Sequence, residues 1–308
     1  TKTWDDNNDQ DGLRPESITI KLLADEEDTG KIATATKDSK WTYKFTDLPK
    51  YNNGNEIDYT IEEVVPEGYI ASYDRTDITN THVPEKISIS GTKIWDDNND
   101  QDGLRPESIT VNLLANNKSI GQSQTISVGE DGNWTYEFTD LPKFEKGKEI
   151  TYTVTEDPVP GYKPSISGTT ITNTHTPETT TITGTKTWDD NNDQDGLRPE
   201  SITMKLYADK VDTGKTTTAN QSNNWTYEFK DLPKYKNGDL IVYTTEEVSV
   251  KGYTTSMNGY NVTNTHIPEK ISISGIKTWI DNNNQDGLRP ESITVNLLAN
   301  GSLVESKK

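Results

Sequence analysis

Apolar and polar residues alternate along short stretches of this chain. Ile18, Ile20 and Leu22 are each separated by one polar residue, and the same spacing recurs at 41–45. An apolar residue at every second position predicts a half-buried β-strand. Turn sequences such as Asn-Asn-Gly at 52–54 separate the stretches, and no segment has the spacing of an amphipathic helix. The pattern therefore predicts an all-β protein built from short strands.

One block of sequence occurs four times. It reads TKTWDDNNDQDGLRPESIT at 1–19, and near-identical copies begin at positions 92, 185 and 276. The lysine of the block recurs after 91, 93 and 91 residues. This period matches an immunoglobulin-like sandwich of six or seven strands and is far longer than the period of a solenoid repeat. The chain is therefore predicted to be a tandem array of β-sandwich modules.

Each complete copy ends in Thr-Asn-Thr-His and a short Pro-Glu linker, which places the module boundaries. Module 1 lacks the ISISG segment that precedes the lysine of module 2, so its first strand is expected to be clipped. The fourth copy stops before its second half, and no leader or sorting tail is recognisable, so an interior piece of a longer protein is expected. The predicted divisions are module 1 at 1–84, module 2 at 85–177, module 3 at 178–268 and a truncated module 4 at 269–308.

Three polar residues in each module share a strand face with apolar residues. Lys93 lies four positions after Ile89, and Glu63 lies two positions after Ile61. Asn80 likewise follows an apolar residue by two positions. Because residues two apart point to the same side of a strand, all three polar side chains are predicted to face the core.

A buried amine, carboxyl and carboxamide would each destabilise a small core if they were left unsatisfied. One resolution is chemical: a neutral lysine attacks the asparagine carbonyl, a protonated glutamic acid transfers protons, and ammonia leaves. The other is a buried Lys–Glu ion pair, with the asparagine in strand or turn hydrogen bonds. Strand parity alone leaves both readings open.

The recurring motifs resemble the CnaB domain family, the B-type repeats of staphylococcal collagen adhesins. They are K-x-W-D-D-N-N-D-Q-D-G-x-R-P, Y-T-V-x-E-x-x-x-x-G-Y and T-N-T-H, and they run through every complete module. The resemblance implies a reverse immunoglobulin-like sandwich with an isopeptide bond from the first-strand Lys to the last-strand Asn, promoted by the acidic residue. By position the triads are Lys2, Glu63 and Asn80; Lys93, Glu156 and Asn173; and Lys186, Glu247 and Asn264.

The modules depart from the common pattern in three places. The clipped first strand makes the bond of module 1 the least secure. In module 3, Thr245 replaces the apolar residue that precedes the acid in the other modules, which weakens the apolar surroundings of Glu247. Lys277 of module 4 has no Glu or Asn partner, so this segment is expected neither to crosslink itself nor to fold fully.

A calcium loop is a further candidate. The loop reads N-x-D-x-D-G, which offers alternating oxygen ligands and a turn glycine, but Ile18 occupies the position where a calcium loop carries its acidic twelfth residue. A tight turn stabilised by Asx side chains is the alternative. Calcium is the single cofactor considered, and the candidate ligands are Asn7, Asp9, Asp11, Asn98, Asp100, Asp102, Asn191, Asp193 and Asp195.

The composition of the chain argues against several classes of function. The net charge is -19 with scattered basic residues, which argues against nucleic acid, and no apolar run approaches a membrane span. There is no cysteine, so no disulfide supports the thin core. His82, His175 and His266 are read as strand-end residues, because no other metal ligands converge on them. No arrangement typical of an enzyme is present.

The expected function is mechanical. The repeats would form the stalk of an adhesin on a Gram-positive cell wall, contacting neighbouring repeats and projecting a ligand-binding head that lies outside this chain. The alternative is direct adhesion, in which the modules themselves bind a host matrix protein. An exposed aromatic or apolar patch would favour that alternative, and the sequence shows none.

Overall fold

The computed structural model describes residues 1–308. It contains 28 β-strands and one 3-10 helix, Gln221–Asn223, and no α-helix. None of its helical segments is long and apolar enough to cross a membrane. The predicted all-β class is confirmed.

Module 1 forms two sheets of three strands. Its strands are β1 Lys2–Asp5, β2 Ser17–Ala24, β3 Glu27–Thr36, β4 Tyr51–Asn52, β5 Asn55–Glu56, β6 Tyr59–Glu63, β7 Ile70–Asp74 and β8 Asp77–Thr81. One sheet has the order β1-β8-β7 and the other β3-β2-β6, with β4 and β5 as a small hairpin. β1 runs parallel to β8, so the first and last strands of the module are neighbours.

Module 2 has the same plan with one more strand. Its strands are β9 Lys86–Asp96, β10 Ile109–Ala115, β11 Lys118–Ile126, β12 Trp134–Pro142, β13 Phe144–Glu145, β14 Lys148–Glu149, β15 Tyr152–Glu156, β16 Lys163–Ser167 and β17 Thr170–Thr174. The sheets have the orders β12-β9-β17-β16 and β11-β10-β15. β9 again lies parallel to the last strand, β17.

Module 3 repeats the four-plus-three arrangement, with sheets β21-β18-β26-β25 and β20-β19-β24. Its strands, followed by the hairpin of module 4, are β18 Thr179–Asp189, β19 Ser201–Ala208, β20 Val211–Asn220, β21 Thr226–Pro233, β22 Tyr235–Lys236, β23 Asp239–Leu240, β24 Tyr243–Glu247, β25 Thr254–Asn258, β26 Asn261–Thr265, β27 Val295–Ala299 and β28 Ser302–Lys307. By Cα proximity the chain forms two compact units, and Lys186, Glu247 and Asn264 all belong to the second.

The alternating residues form the core as predicted. In β2, Ile18, Ile20 and Leu22 are buried while the polar residues between them are not. In module 2 the buried cluster includes Val111 and Ile171 from the two facing sheets. Each sandwich thus packs one apolar face of each sheet against the other, as strand parity requires.

The strand predicted at 41–45 does not form in module 1. In module 2 the equivalent strand pairs along β9, with Trp134 opposite Lys93 and Phe138 opposite Ile89. Module 1 has no residues equivalent to the first half of β9, so a single backbone bond remains, from the amide of Lys2 to the carbonyl of Trp41. Alternation at 41–45 was read correctly as a core pattern, but a strand also needs a partner for its backbone groups.

Residues 269–308 form a single two-stranded hairpin. Residues 266–294 contain no strand, and β27 and β28 pair only with each other. Ile276 is 95% exposed, whereas the equivalent first strands of modules 2 and 3 are part of a sheet. Without the last strand of a module, the first strand has no neighbour against which to lie.

Adjacent modules share a repeated backbone contact. The amide of Gly147, in the small hairpin of module 2, donates to the carbonyl of Gln10 in module 1 at 3.0 Å. Gly238 donates in the same way to Gln101, at 3.1 Å. A Cβ on Gly12 would overlap the backbone of Gly147, so the close approach requires glycine on the loop side.

Candidate crosslinking site

The lysine and the asparagine of each module lie on adjacent parallel strands. In module 1, Lys2 pairs with Ile78 and Trp4 with Asn80. Asn80 is therefore offset from Lys2 by two residues along the neighbouring strand, on the same face. Because adjacent strands are about 4.8 Å apart, a lysine side chain readily spans this offset. Modules 2 and 3 have the same register.

The glutamate comes from the opposite sheet of the sandwich. Glu63 is the last residue of β6 and pairs with Ile20 of the central strand β2. Its carboxylate crosses the core toward the lysine, and the Nζ–Oε distance is 3.9 Å in module 1, 3.6 Å in module 2 and 3.9 Å in module 3. In every complete module the structure brings the predicted lysine and glutamate together, and the predicted asparagine lies on the strand next to the lysine.

All nine side chains of the three triads are buried. The Lys and Glu side chains are at most 1% exposed, and the three asparagines are fully buried. The parity prediction for the core-facing positions is confirmed, including the choice of Glu63 over its exposed neighbour Glu62. Such groups are seldom buried without partners, so the site needs a chemical or electrostatic explanation.

Each lysine amine has few polar partners. Lys2 Nζ donates to the carbonyl of Thr3 at 3.0 Å and lies 4.1 Å from the ring centroid of Trp4. Burial lowers the pKa of Lys2 to about 8, although the nearby Glu63 opposes the change. Lys93 and Lys186 have the same surroundings, and burial lowers their pKa to about 8 as well. The neutral, nucleophilic amine is therefore accessible near neutral pH.

The carboxyl of Glu63 shifts in the complementary direction. Burial raises its pKa, while Lys2 and a hydrogen bond from Asn80 partly offset this rise. Asn80 Nδ2 donates to Glu63 Oε1 at 3.1 Å. Glutamic acid and amine can thus share one proton without either ion being left alone in the core, which favours the neutral pair.

The asparagine carbonyls lack hydrogen-bond donors. Oδ1 has no partner in Asn80, Asn173 or Asn264, although each is fully buried. In Asn80 and Asn264 the amide nitrogen, and not this oxygen, faces the glutamate. The amide O and N positions are interchangeable by a side-chain flip, which would direct the carbonyl toward the acid. The arrangement can therefore supply a nucleophile, an acid and an electrophile in one closed core.

A second buried cluster in each module was not anticipated from the sequence. Asp6 is 2% exposed and accepts two hydrogen bonds from Arg14, one from the hydroxyl of Tyr69 and one from the amide of Asp9. Arg14 and Lys2 both lie against the ring of Trp4. The arginine of the GLRP motif and the second aspartate of WDD recur at a fixed spacing of eight residues, which was the available signal.

The loop proposed for calcium is engaged with protein donors. Asp9 Oδ1 accepts from the amide of Arg14, and Asp11 Oδ2 accepts from the amide of Glu85 in the linker. Asn7 contacts Gln10. In residues 1–308 no group of three or more His, Asp or Glu side chains is placed to hold a metal. The equivalent loops of modules 2 and 3 have the same bonds.

The histidine at the end of each module contacts the loop that follows the first strand. His82 Nε2 lies 2.9 Å from Asp11 Oδ2, and its Nδ1 lies 2.8 Å from the carbonyl of Gly68. The hydrogen bond with Asp11 raises the pKa of His82. His175 and His266 repeat these contacts. Each histidine therefore ties the end of its module to the loop that also holds the linker.

Comparison with known proteins gives a consistent result. The model of the family described as Cna protein B-type domain matches residues 1–81, 89–174, 182–265 and 273–308. The collagen adhesin of Staphylococcus aureus is 48% identical over 318 residues, which cover 99% of this chain and 27% of that protein. Serine-aspartate repeat-containing protein D of Staphylococcus aureus (strain Newman) is 28% identical over 329 residues, 84% of this chain and 22% of that protein.

Among solved structures, the crystal structure of two B repeat units (B1B2) of the collagen binding protein of Staphylococcus aureus is similar. It has a TM-score of 0.52 and 46% sequence identity, and the match covers 87% of this chain and 74% of that chain. This chain spans about a quarter of the length of the curated relatives it matches.

Proposed function

The chain belongs to the family of Cna protein B-type domains, and from that premise we propose that its modules are stalk repeats of a cell-surface adhesin, each closed by an internal isopeptide bond. The observation that carries this proposal is the buried Lys–Glu–Asn triad of every complete module. The names of the relatives, a collagen adhesin and a serine-aspartate repeat protein, support a location on a bacterial cell wall.

The bond-forming step follows from the groups present. Lys Nζ, in its neutral form, attacks Cγ of the asparagine, and the protonated glutamic acid polarises the carbonyl. The acid then carries a proton from the attacking nitrogen to the leaving amide nitrogen. A C–N bond forms, a C–N bond breaks, and ammonia is released. The glutamic acid is regenerated, but the lysine and asparagine are consumed, so the reaction is a self-modification and not enzymatic turnover.

A bond at this position suits a load-bearing repeat. The lysine lies near the start of the module and the asparagine near its end, on adjacent parallel strands. Tension applied to the two ends would shear these strands apart, and a covalent link would carry that load. The repeated contact between Gly147 and Gln10, together with the linker bond of Asp11, holds successive repeats together and supports a spacer role. A ligand-binding head outside this chain would then be held away from the wall.

Intact-mass measurement tests the crosslink directly. We expect the folded chain to be lighter than its sequence mass by three ammonias, one for each complete module. The intact mass should rise by one ammonia in each of three variants, Glu63→Gln, Glu156→Gln and Glu247→Gln. A glutamine side chain cannot transfer the protons that the reaction requires. Glu62→Gln, next to Glu63 but exposed, is the matched control and should leave the deficit unchanged. A mass equal to that of the unmodified chain would exclude the bond but would not contradict the fold.

Direct adhesion and calcium are tested separately. The printed name of the collagen adhesin motivates a solid-phase assay of this array on collagen, in which saturable binding would overturn the spacer proposal. We propose that the loops need no calcium, since their carboxylates already accept hydrogen bonds from Arg14, Glu85 and equivalents. Thermal unfolding with calcium and with a chelator should then coincide.

A further inference from the structure

The three glutamates differ in the hydrogen bonds they accept. Both carboxyl oxygens of Glu156 accept none, and Glu63 accepts one, from Asn80, leaving its Oε2 without a partner. Glu247 accepts two: Asn264 Nδ2 donates to its Oε1 at 3.1 Å, and the hydroxyl of Thr255 donates to its Oε2 at 2.8 Å. Module 3 thus holds its acid more firmly than the other modules do.

The extra donor comes from the position directly opposite the reactive asparagine. Thr255 of the edge strand β25 pairs with Asn264, and the residue at that place is Ala71 in module 1 and Pro164 in module 2. Neither alanine nor proline has a side-chain donor. The hydroxyl is therefore specific to module 3, although the rest of its triad has the same register and the same Lys–Glu distance as module 1.

The hydroxyl of Thr255 acts on the charge state that the reaction needs. As in the other modules, attack requires the amine of Lys186 and the carboxyl of Glu247 in their neutral forms. A hydroxyl that donates to a carboxylate stabilises the ionised form more than the neutral one, because hydrogen bonds to charged acceptors are stronger. Thr255 therefore shifts the pair toward lysinium and glutamate, which cannot react.

We propose that Thr255 is a positioning residue that restrains crosslinking in module 3, so that this bond closes more slowly than it would with an apolar residue there. The proposal rests on the proposed isopeptide function. It predicts that module 3 closes its bond more slowly than module 1, whose triad has the same register and the same Lys–Glu distance. Such a residue acts through Glu247 and does not itself touch the atoms that form the bond.

The experiment follows each bond in the full chain. Newly translated chain 1–308 is quenched in acidic denaturant before crosslinking, refolded by dilution near neutral pH, and sampled over time. After proteolysis, mass spectrometry quantifies three branched peptides, Lys2–Asn80, Lys93–Asn173 and Lys186–Asn264, each lighter by one ammonia. Modules 1 and 2 serve as internal references in every sample.

Two substitutions at Thr255 separate the hydroxyl from the shape of the side chain. Thr255→Val removes the donor at nearly constant volume and should accelerate formation of the Lys186–Asn264 bond by about tenfold to a hundredfold, the effect of losing one hydrogen bond to a charged group. Thr255→Ser keeps the donor and should retain the slow rate. A purely structural role for Thr255 would give no such rescue by serine.

The reciprocal substitution tests the same idea in another module. Ala71→Thr introduces the hydroxyl opposite Asn80 and should slow the Lys2–Asn80 bond while the Lys93–Asn173 bond keeps its rate. If the bonds form but Thr255→Val leaves module 3 unchanged or slower, the restraint by Thr255 is overturned and the isopeptide function stands. If no module loses ammonia in any variant, the isopeptide function itself is wrong, and the restraint falls with it.

Discussion

Modules 1 and 2 contain the same triad, but residues 1–84 form one sheet strand fewer than residues 85–177. Lys2 and Lys93 are equally buried, and their distances to the glutamates are 3.9 and 3.6 Å. Yet module 1 lacks the strand equivalent to β12. Phe138 of that strand is 7% exposed, whereas its counterpart Phe45 is only half-buried.

Modules 1 and 2 together show which strands position the triad and which strand only buries apolar side chains. The triad depends on the parallel pair β1–β8 and on the facing strand β6, and module 1 retains all of these. The missing outer strand removes apolar burial without moving the triad. The site geometry therefore does not require the outer strand, whereas we expect the stability of the sandwich to depend on it.

The largest effect is expected from removing a crosslink in the complete module. Lys93→Met preserves the apolar stem, abolishes the bond and should destabilise module 2 by about 4 kcal/mol, by analogy with a disulfide that closes a loop of similar length. Hydrogen–deuterium exchange of residues 85–177, read by mass spectrometry during chemical denaturation, measures the change.

Lys277→Met is the matched control, because this lysine has the same sequence context but lies in module 4 without a Glu or Asn partner. It should leave every module unchanged. Equal denaturation midpoints for Lys93→Met and the unaltered chain would contradict a covalent contribution in module 2.

A smaller gain should follow from completing module 1. Placing the residues KISISG, taken from 86–91, before Thr1 gives the stretch 41–49 a partner strand, in the register seen between β9 and β12. Full burial of Tyr43 and Phe45 should then stabilise module 1 by about 3 kcal/mol. Slower amide exchange at 41–49 and a higher unfolding midpoint for module 1 would report the new strand.

The control for this extension replaces its isoleucines with serine. It lengthens the chain equally but buries no apolar surface, so it should stabilise module 1 far less. If both extensions act alike, added backbone pairing and not burial accounts for the difference between modules 1 and 2.

The buried cluster around Asp6 and its counterpart around Asp97 should contribute equally to the stability of modules 1 and 2. Asp6 and Asp97 are each 2% exposed and accept the same bonds from an arginine and a tyrosine. Asp6→Asn and Asp97→Asn should each cost about 2 kcal/mol, since a partly buried arginine loses its buried countercharge. Asp96→Asn, exposed and adjacent, is the control. Unequal losses in denaturant titrations would mean that the missing strand also weakens the loop.

Most features of modules 1 and 2 could be predicted from the sequence, and those that could not have physical reasons. Parity placed Lys93, Glu156 and Asn173 in the core, because a period of two assigns every residue to a face. The failure at 41–45 arose because parity describes side chains and not the partners of backbone groups. The bonds of Asp6 were missed since they join a loop to distant residues such as Tyr69, and no periodicity encodes such contacts.

The smallest expected effect is that of pH on the histidines, and it too should be equal in modules 1 and 2. The hydrogen bond with Asp102 raises the pKa of His175, as Asp11 raises that of His82. A raised folded-state pKa means that the stabilisation is fully present below the unfolded-state pKa of about 6.5 and is lost as the pH rises through the folded-state pKa. Asp102, whose own pKa these hydrogen bonds lower despite its burial, stays ionised throughout this window.

Raising the pH from about 6 to about 8 should therefore destabilise module 2 by less than about 1 kcal/mol through this pair. His175→Gln keeps a donor toward Asp102 but cannot titrate, so calorimetry should show a smaller pH dependence for this variant, with module 1 unaffected. His82→Gln should do the same for module 1. Both histidines bond to the loop and not to the outer strand. A pH dependence confined to module 2 would therefore show that the absence of this strand also loosens the end of module 1.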